Sequence, residues 1–458
     1  MSMPRRRASW PLLCAAITLP CSASAAPADG EIAGEGFEVT RYALALTPDM
    51  AGGTIAGREI VSLRATREGL KRLIFSGNGL SIDSARLDGA PVAPRRGEKT
   101  LAFDLVRPLA RGRTVRLELT YHGRPARGLA ASATGLYTSY FACDWMICAQ
   151  DKFGEKAAFS LELSVPAGMQ TLSLGRRTAV RPGPDGREIH RWQAPRPYSA
   201  YLYGFAVGRF ARANARVGGA ELALLSDVAG ETELKRRFAE TPAMVRFLSA
   251  KAGLPLPVRT YSQLLVEGGE AQEAATYSVL GKDSLPSGDA VPEEDWAIVH
   301  ELAHQWWGNL VTCETLRDFW LNEGITTFMT AAWKEHRYGR AAYDAELKVA
   351  RARLDRARAL GFDKPLAWAG RYPSLGARRA VQYSKGALFM AHLREQLGEA
   401  AFWSGLRRYT RAHAGGTVTS RDLQAAMEAA SGRDLAPLFG EWVYGSNPEQ
   451  TAAPQSHP

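Results

Sequence analysis

Eight histidines serve the whole chain, and two of them flank a glutamate in His300-Glu301-Leu302-Ala303-His304. On a helix, positions i and i+4 project from one face, so both imidazoles can grip one ion. Zinc favours imidazole and carboxylate ligands, and a catalytic zinc takes three of them and leaves one position open for water. A third ligand is therefore required. Glu323, nineteen residues beyond His304 in Asn322-Glu323-Gly324, is the best candidate, because a loop of that length can return the chain antiparallel. Glu301 adjoins a ligand but points to the metal's side, where it can take a proton from water. One zinc ion with such a base predicts hydrolysis of a carbonyl compound.

Helices must carry these residues. Pro292, Glu293, Glu294 and Asp295 suit a helical first turn, where acids meet the positive dipole end, and the spacing predicts a helix over about 292–309. Further helices are expected at 242–252, with Thr241 as N-cap and Pro242 at N1, and at about 322–338, 342–360, 382–397 and 420–431, the last capped by Ser420. Leu435, Leu438, Phe439 and Trp442 continue the helical period. Upstream the period is two. Val115, Leu117, Leu119 and Tyr121 alternate with polar residues, as do Phe159, Leu161, Leu163 and Val165, which marks strands with one buried face. The reading is α+β: an antiparallel β domain over 31–212, a boundary near 211–230, a mostly helical domain over 220–445 and a tail over 446–458.

The run His300–Met329, HELAHQWWGNLVTCETLRDFWLNEGITTFM, closely resembles the zinc aminopeptidases of the M1 (gluzincin) family, whose members include aminopeptidase N and leukotriene A4 hydrolase. The resemblance implies a thermolysin-like catalytic domain, with His300, His304 and Glu323 as zinc ligands and Glu301 as general base. It implies that Asp318 orients a ligand. Tyr383, in Tyr383-Ser384-Lys385-Gly386, matches the family tyrosine that donates to the oxyanion. Glu270-Ala271-Gln272-Glu273-Ala274 matches the family's Gly-x-Met-Glu-Asn edge strand, and Glu273 keeps the carboxylate that holds the substrate's free α-amine. The Gly, Met and Asn are gone, and no Gln or Glu stands near Tyr137–Tyr140 to share that amine. Gln150-Asp151, Lys156-Ala157 and the stretch from Tyr201 to Phe210 also follow the family. The resemblance runs over about 37–445 and implies a short form without the usual C-terminal helical domain. It points to peptide substrates and removal of N-terminal residues. Two other readings stand beside it: a zinc peptidase with no need of a free N-terminus, and a non-catalytic, zinc-bearing peptide-binding protein.

The remaining 458-residue composition, 46% hydrophobic and 23% charged, excludes a disulfide-stapled miniprotein, a collagen and a wholly disordered chain. The formal charge is +10, with no dense Lys/Arg run after residue 7, so the excess reads as solvated surface and not as a nucleic-acid site. Arg5–Arg7, an apolar run from Trp10 to Leu19 and Ala23-Ser24-Ala25 read as a signal peptide over 1–25, predicting a periplasmic or secreted protein. No later stretch is long and apolar enough to span a membrane. Cys143 and Cys148 are close enough to pair in an oxidising compartment, and Cys313 is expected to be a buried free thiol.

Overall fold

The computed structural model describes residues 32–285 and 295–445. The expected signal peptide 1–25, the first-turn residues Pro292, Glu293 and Glu294, and the tail from Ser446 lie outside the described residues.

The first sheet is built on period-two strands. These include β1 (Phe37–Asp49), β2 (Thr54–Ala65), β3 (Ser81–Leu87), β4 (Thr114–Gly123), β5 (Lys156–Pro166), β6 (Arg176–Pro182) and β7 (Arg187–Gln193), ordered β6-β7-β5-β1-β2-β4-β3. Val115, Leu117, Leu119 and Tyr121 of β4, and Phe159, Leu161, Leu163 and Val165 of β5, are buried as their alternation requires. The pairing is antiparallel except where β1 runs parallel to β5, Arg41 opposite Ala158 through Leu46 opposite Leu163.

The interval read as a boundary holds two strands. β8 (Ala211–Val217) and β9 (Ala220–Ser226) form a hairpin around Gly218-Gly219 and open a second sheet with β10 (Thr260–Val266), β11 (Ala271–Ala274) and β12 (Tyr277–Gly281). Its order is β8-β9-β10-β12-β11, so β11, the stretch matched to the family's substrate strand, is an edge.

Helices follow: α1 (Thr241–Ala252), α2 (Trp296–Ala303), α3 (Trp320–Tyr338), α4 (Arg340–Ala359), α5 (Gly386–Ala412) and α6 (Ser420–Ser431). α2 is shorter than its periodicity suggests. After His304 the chain turns back, with Gly308 at φ 127 and its N–H donating to the Val311 carbonyl. α5 runs past the expected end at 397 through a kink at Gly398 (φ 75). Two capping assignments change. Thr419 and Asp422 form the capping box of α6, and Ser420 is its first residue. Glu240, not Thr241, precedes α1, and the Thr241 hydroxyl is spent on Gln263. Trp306, Trp307, Trp320 and Trp333 are buried among these helices, making the core that holds α2 and α3 side by side.

Candidate active site

α2 presents His300, and His304 follows at its C-terminal end, while α3 presents Glu323 in its first turn. His300 Nε2 and His304 Nε2 are 3.2 Å apart, His300 Nε2 and Glu323 Oε2 3.3 Å, and His304 Nε2 and Glu323 Oε2 3.5 Å. Ligand atoms at tetrahedral positions around zinc, with bonds of ~2.0–2.2 Å, are about 3.3–3.5 Å from one another. The triad has that spacing already. His304 Nδ1 donates to the Trp307 carbonyl at 3.0 Å, which fixes the tautomer and leaves the Nε2 lone pair facing its partners. Two imidazole nitrogens facing each other in a buried site need a shared cation, and zinc fits this donor set.

The electrostatics agree. Burial disfavours an imidazolium at His304, but the carboxylates of Glu323, Glu273 and Glu301 overcome it and raise its pKa. For Glu323, burial acts upward, and His304 and His300 overcome it and hold the carboxyl down near 2. The pocket is thus built to hold positive charge at the triad.

Glu301 lies beside it. One of its carboxylate oxygens, with one each from Glu273 and a nitrogen of His304, forms a second cluster whose ligand atoms lie within 4.8 Å of one another. Its Oε2 is buried without a hydrogen-bond partner, an acceptor left open beside the triad. Burial raises Glu301 well above the usual carboxylate range; His304 opposes this, and Glu273 and Glu323 add to it. Burial likewise raises Glu273 to about 7.

Tyr383 enters from a π-helical segment, Arg379–Lys385, that leads into α5. Such wide turns are frequent at functional sites. Its ring lies parallel to His300 (8° between planes, 5.9 Å between centroids). Burial, helped by Glu323 and Glu273, raises its pKa well above 10, so the phenol keeps its proton and remains a donor. What brings Tyr383 to Glu323 is a glycine crossing. A Cβ on Gly324 would sit 2.7 Å from the Cα of Gly386, so two backbones touch where the Asn-Glu-Gly and Tyr-Ser-Lys-Gly sequences meet.

Asp318 lies just ahead of α3. Its carboxylate accepts from the Ser420 backbone N–H at 3.1 Å and from the Ser420 hydroxyl, tying the approach to α3 to the start of α6, with no bond to a histidine of the triad among the described residues. The orienting acceptor seen at His304 is the Trp307 carbonyl.

With this geometry in place, known proteins can be compared with the chain. Residues 277–442 match the Peptidase family M1 domain. The fold is similar to that of an M1 zinc metallopeptidase from Deinococcus radiodurans, with a TM-score of 0.76 and 25% identity over 93% of this chain and 97% of that one. The 277–442 segment is thus similar to peptidase family M1, and the fold to that of a two-domain M1 zinc metallopeptidase. A mutant of the Deinococcus radiodurans enzyme bound to a Tyr-Ser-Ala substrate gives a TM-score of 0.74 and 24% identity, covering 93% of this chain and 98% of that one. Probable aminopeptidase 1 of Saccharolobus solfataricus is 23% identical over 427 residues, 86% of this chain and 52% of the relative. The chain spans about half the length of the curated relatives it matches.

Several residues that spacing alone does not single out hold the site together. Gln305 and Asn309, just past the zinc helix, both donate to the Ala274 carbonyl (3.1 and 3.0 Å), pinning edge strand β11 to α2. Lys156 of the β domain donates to the carbonyls of Asn309 and Leu310, and Asn322 donates to the Tyr201 hydroxyl. Where the family places a Gln or Glu, the loop Ser139–Phe141 does something else. The Ser139 hydroxyl donates to Glu270 at 2.9 Å and the Tyr140 hydroxyl to the Ala271 carbonyl, so the loop grips β11 itself. Tyr140 and Phe141 both have positive φ (50 and 45), a strained pair, and a Cys143–Cys148 disulfide follows two residues later. Cys313 is free and buried.

Proposed function

We propose that this chain is an aminopeptidase that releases N-terminal residues from peptides. The observation that carries the reading is Glu273: a buried carboxylate on an edge strand, clustered with Glu301 and His304. Edge strand β11 offers backbone groups to an extended peptide. Glu273 meets the α-ammonium there in a charge-assisted contact, which brings the first peptide bond to the triad. His300, His304 and Glu323 would hold a zinc ion, which would supply a Lewis acid and lower the pKa of water to about 7. Glu301 takes the proton of the attacking water and returns it to the leaving amine. Tyr383 donates its O–H to the carbonyl oxygen as negative charge develops there.

The loop near Tyr137–Tyr140 favours one other reading, a peptidase indifferent to the free amine, because it carries no Gln or Glu to share that amine and its Ser139 bonds Glu270 instead. A free-amine peptide compared with its N-acetylated twin, with and without a chelator, decides between them. Cleavage of the free-amine peptide alone, abolished by the chelator, is expected; equal rates would overturn the aminopeptidase reading. We also propose export to a periplasm or the exterior, a reading supported by the segment 1–25 and by the Cys143–Cys148 disulfide. Fractionation of cells expressing the full chain tests this, and retention in the cytosol would refute it.

A further inference from the structure

A large cavity lies away from the triad. It measures about 1310 Å³ and lies between the two sheets' ends, bounded by the β6–β7 region on one side and by the β8–β9 turn, α1 and the loop 255–260 on the other. Its charged lining residues are all arginines: Arg176 and Arg196 from the β domain, Arg246 of α1 and Arg259 ahead of β10. No lining residue is acidic. Some arginines elsewhere on the surface are ion-paired, as in Arg58–Glu118, Arg64–Glu38, Arg212–Glu221 and Arg337–Glu240. Here, among the described residues, Arg176, Arg246 and Arg259 have no ion-pair partner, and Arg196 donates to the Pro257 carbonyl at 2.9 Å. Part of the +10 excess is therefore gathered in one cavity instead of being spread evenly.

Four guanidiniums without a counter-charge repel one another, and an anion that brings carboxylates relieves this with paired N–H bonds. The cavity is larger than the ~300–1,000 Å³ of small-molecule sites, which favours an extended chain. Between the arginines its floor is aliphatic, with Val217, Leu256 and Val258, and no lining residue is aromatic. Single-stranded nucleic acid is held by stacking on aromatic rings, so the missing rings argue against it. We propose that this cavity docks an acidic peptide segment that alternates carboxylate and aliphatic side chains. The site stands apart from the triad: none of the zinc-site residues lines it, and its nearest approach in sequence is Thr276, three residues beyond Glu273.

The test uses the full zinc-loaded protein and an N-acetylated, fluorescein-labelled ten-residue peptide alternating Glu and Val, followed by anisotropy. A Lys/Val peptide and an oligothymidylate of matching charge are the comparisons. Binding of the Glu/Val peptide should weaken at least tenfold in an Arg246→Glu/Arg259→Glu variant, and clearly in Arg246→Gln/Arg259→Gln. Turnover of a small aminoacyl reporter should stay at the wild-type rate in both, which also shows that they are folded. Unchanged peptide affinity in both variants, equal affinity for the Lys/Val peptide, or tighter binding of the oligothymidylate would overturn the proposal.

Discussion

Gly324→Ala tests how the site is assembled. The added methyl would meet Gly386 Cα at 2.7 Å, Gly386 C at 3.0 Å and the Gln382 carbonyl oxygen at 3.1 Å. All three are backbone atoms, so no side chain can swing aside. Carbon atoms pack best at ~3.5–4.0 Å, so α3 and the start of α5 must part by about 1 Å. Overpacking of this kind costs about 1–3 kcal/mol. Alanine's better helix propensity returns up to ~1 kcal/mol, so the net loss of stability is small. Activity is the more sensitive readout. Glu323 is the neighbouring residue on α3 and Tyr383 sits one turn before Gly386, so the same displacement separates metal ligand from oxyanion donor. A misplacement of ~1 Å costs about 10²-fold in rate. The assay is kcat/KM on an aminoacyl reporter, with zinc content and thermal midpoint measured on the same samples. A loss of about two orders in kcat with zinc retained is expected. Gly440→Ala, whose new methyl meets nothing within 4 Å, should leave kcat unchanged. Wild-type kcat/KM in Gly324→Ala would refute the claim that this backbone contact sets the geometry of the site.

Two other outcomes follow from single residues. Tyr383→Phe should lower kcat by about 10²–10³-fold with little change in KM, because only the developing charge loses a donor; steady-state kinetics on a free-amine peptide checks it. In the β domain, Glu59 is fully buried, accepts from Tyr121 and the Ile147 N–H, and is raised by that burial to about 8. A carboxyl whose folded-state pKa exceeds its unfolded value stabilises the fold below the unfolded pKa. That contribution disappears as pH rises through about 8. Relative to Glu59→Gln, the wild type should therefore lose on the order of 5 kcal/mol between pH ~4.5 and 8, at about 1.4 kcal/mol per unit. Thermal midpoints of the two proteins across that range test it, and parallel profiles would contradict it.

Much of the site is readable in the residues because helix periodicity does the positioning. A four-residue spacing places His300 and His304 together whatever surrounds them, and the distance to Glu323 implies an antiparallel return. The period-two runs of β4 and β5 likewise announce their buried faces. What could not be read rests on contacts between distant segments. Asp318 has the right place in the motif for orienting a ligand, yet a serine 102 residues away takes its carboxylate. Gln305 and Asn309 look like ordinary polar residues after a zinc helix until β11 comes within their reach. The arginines of the cavity are far apart in sequence, from Arg176 to Arg259, so charge counting along the chain sees scatter where the fold gathers them.

The central claim is that Glu301 moves the proton in a reaction at a zinc held by His300, His304 and Glu323. The direct measurement is zinc stoichiometry together with turnover of a free-amine reporter in Glu301→Gln. The account predicts one zinc per chain, as in the wild type, with a rate lower by at least two orders of magnitude. Unchanged turnover in a purified, chelator-sensitive preparation of that variant would contradict it.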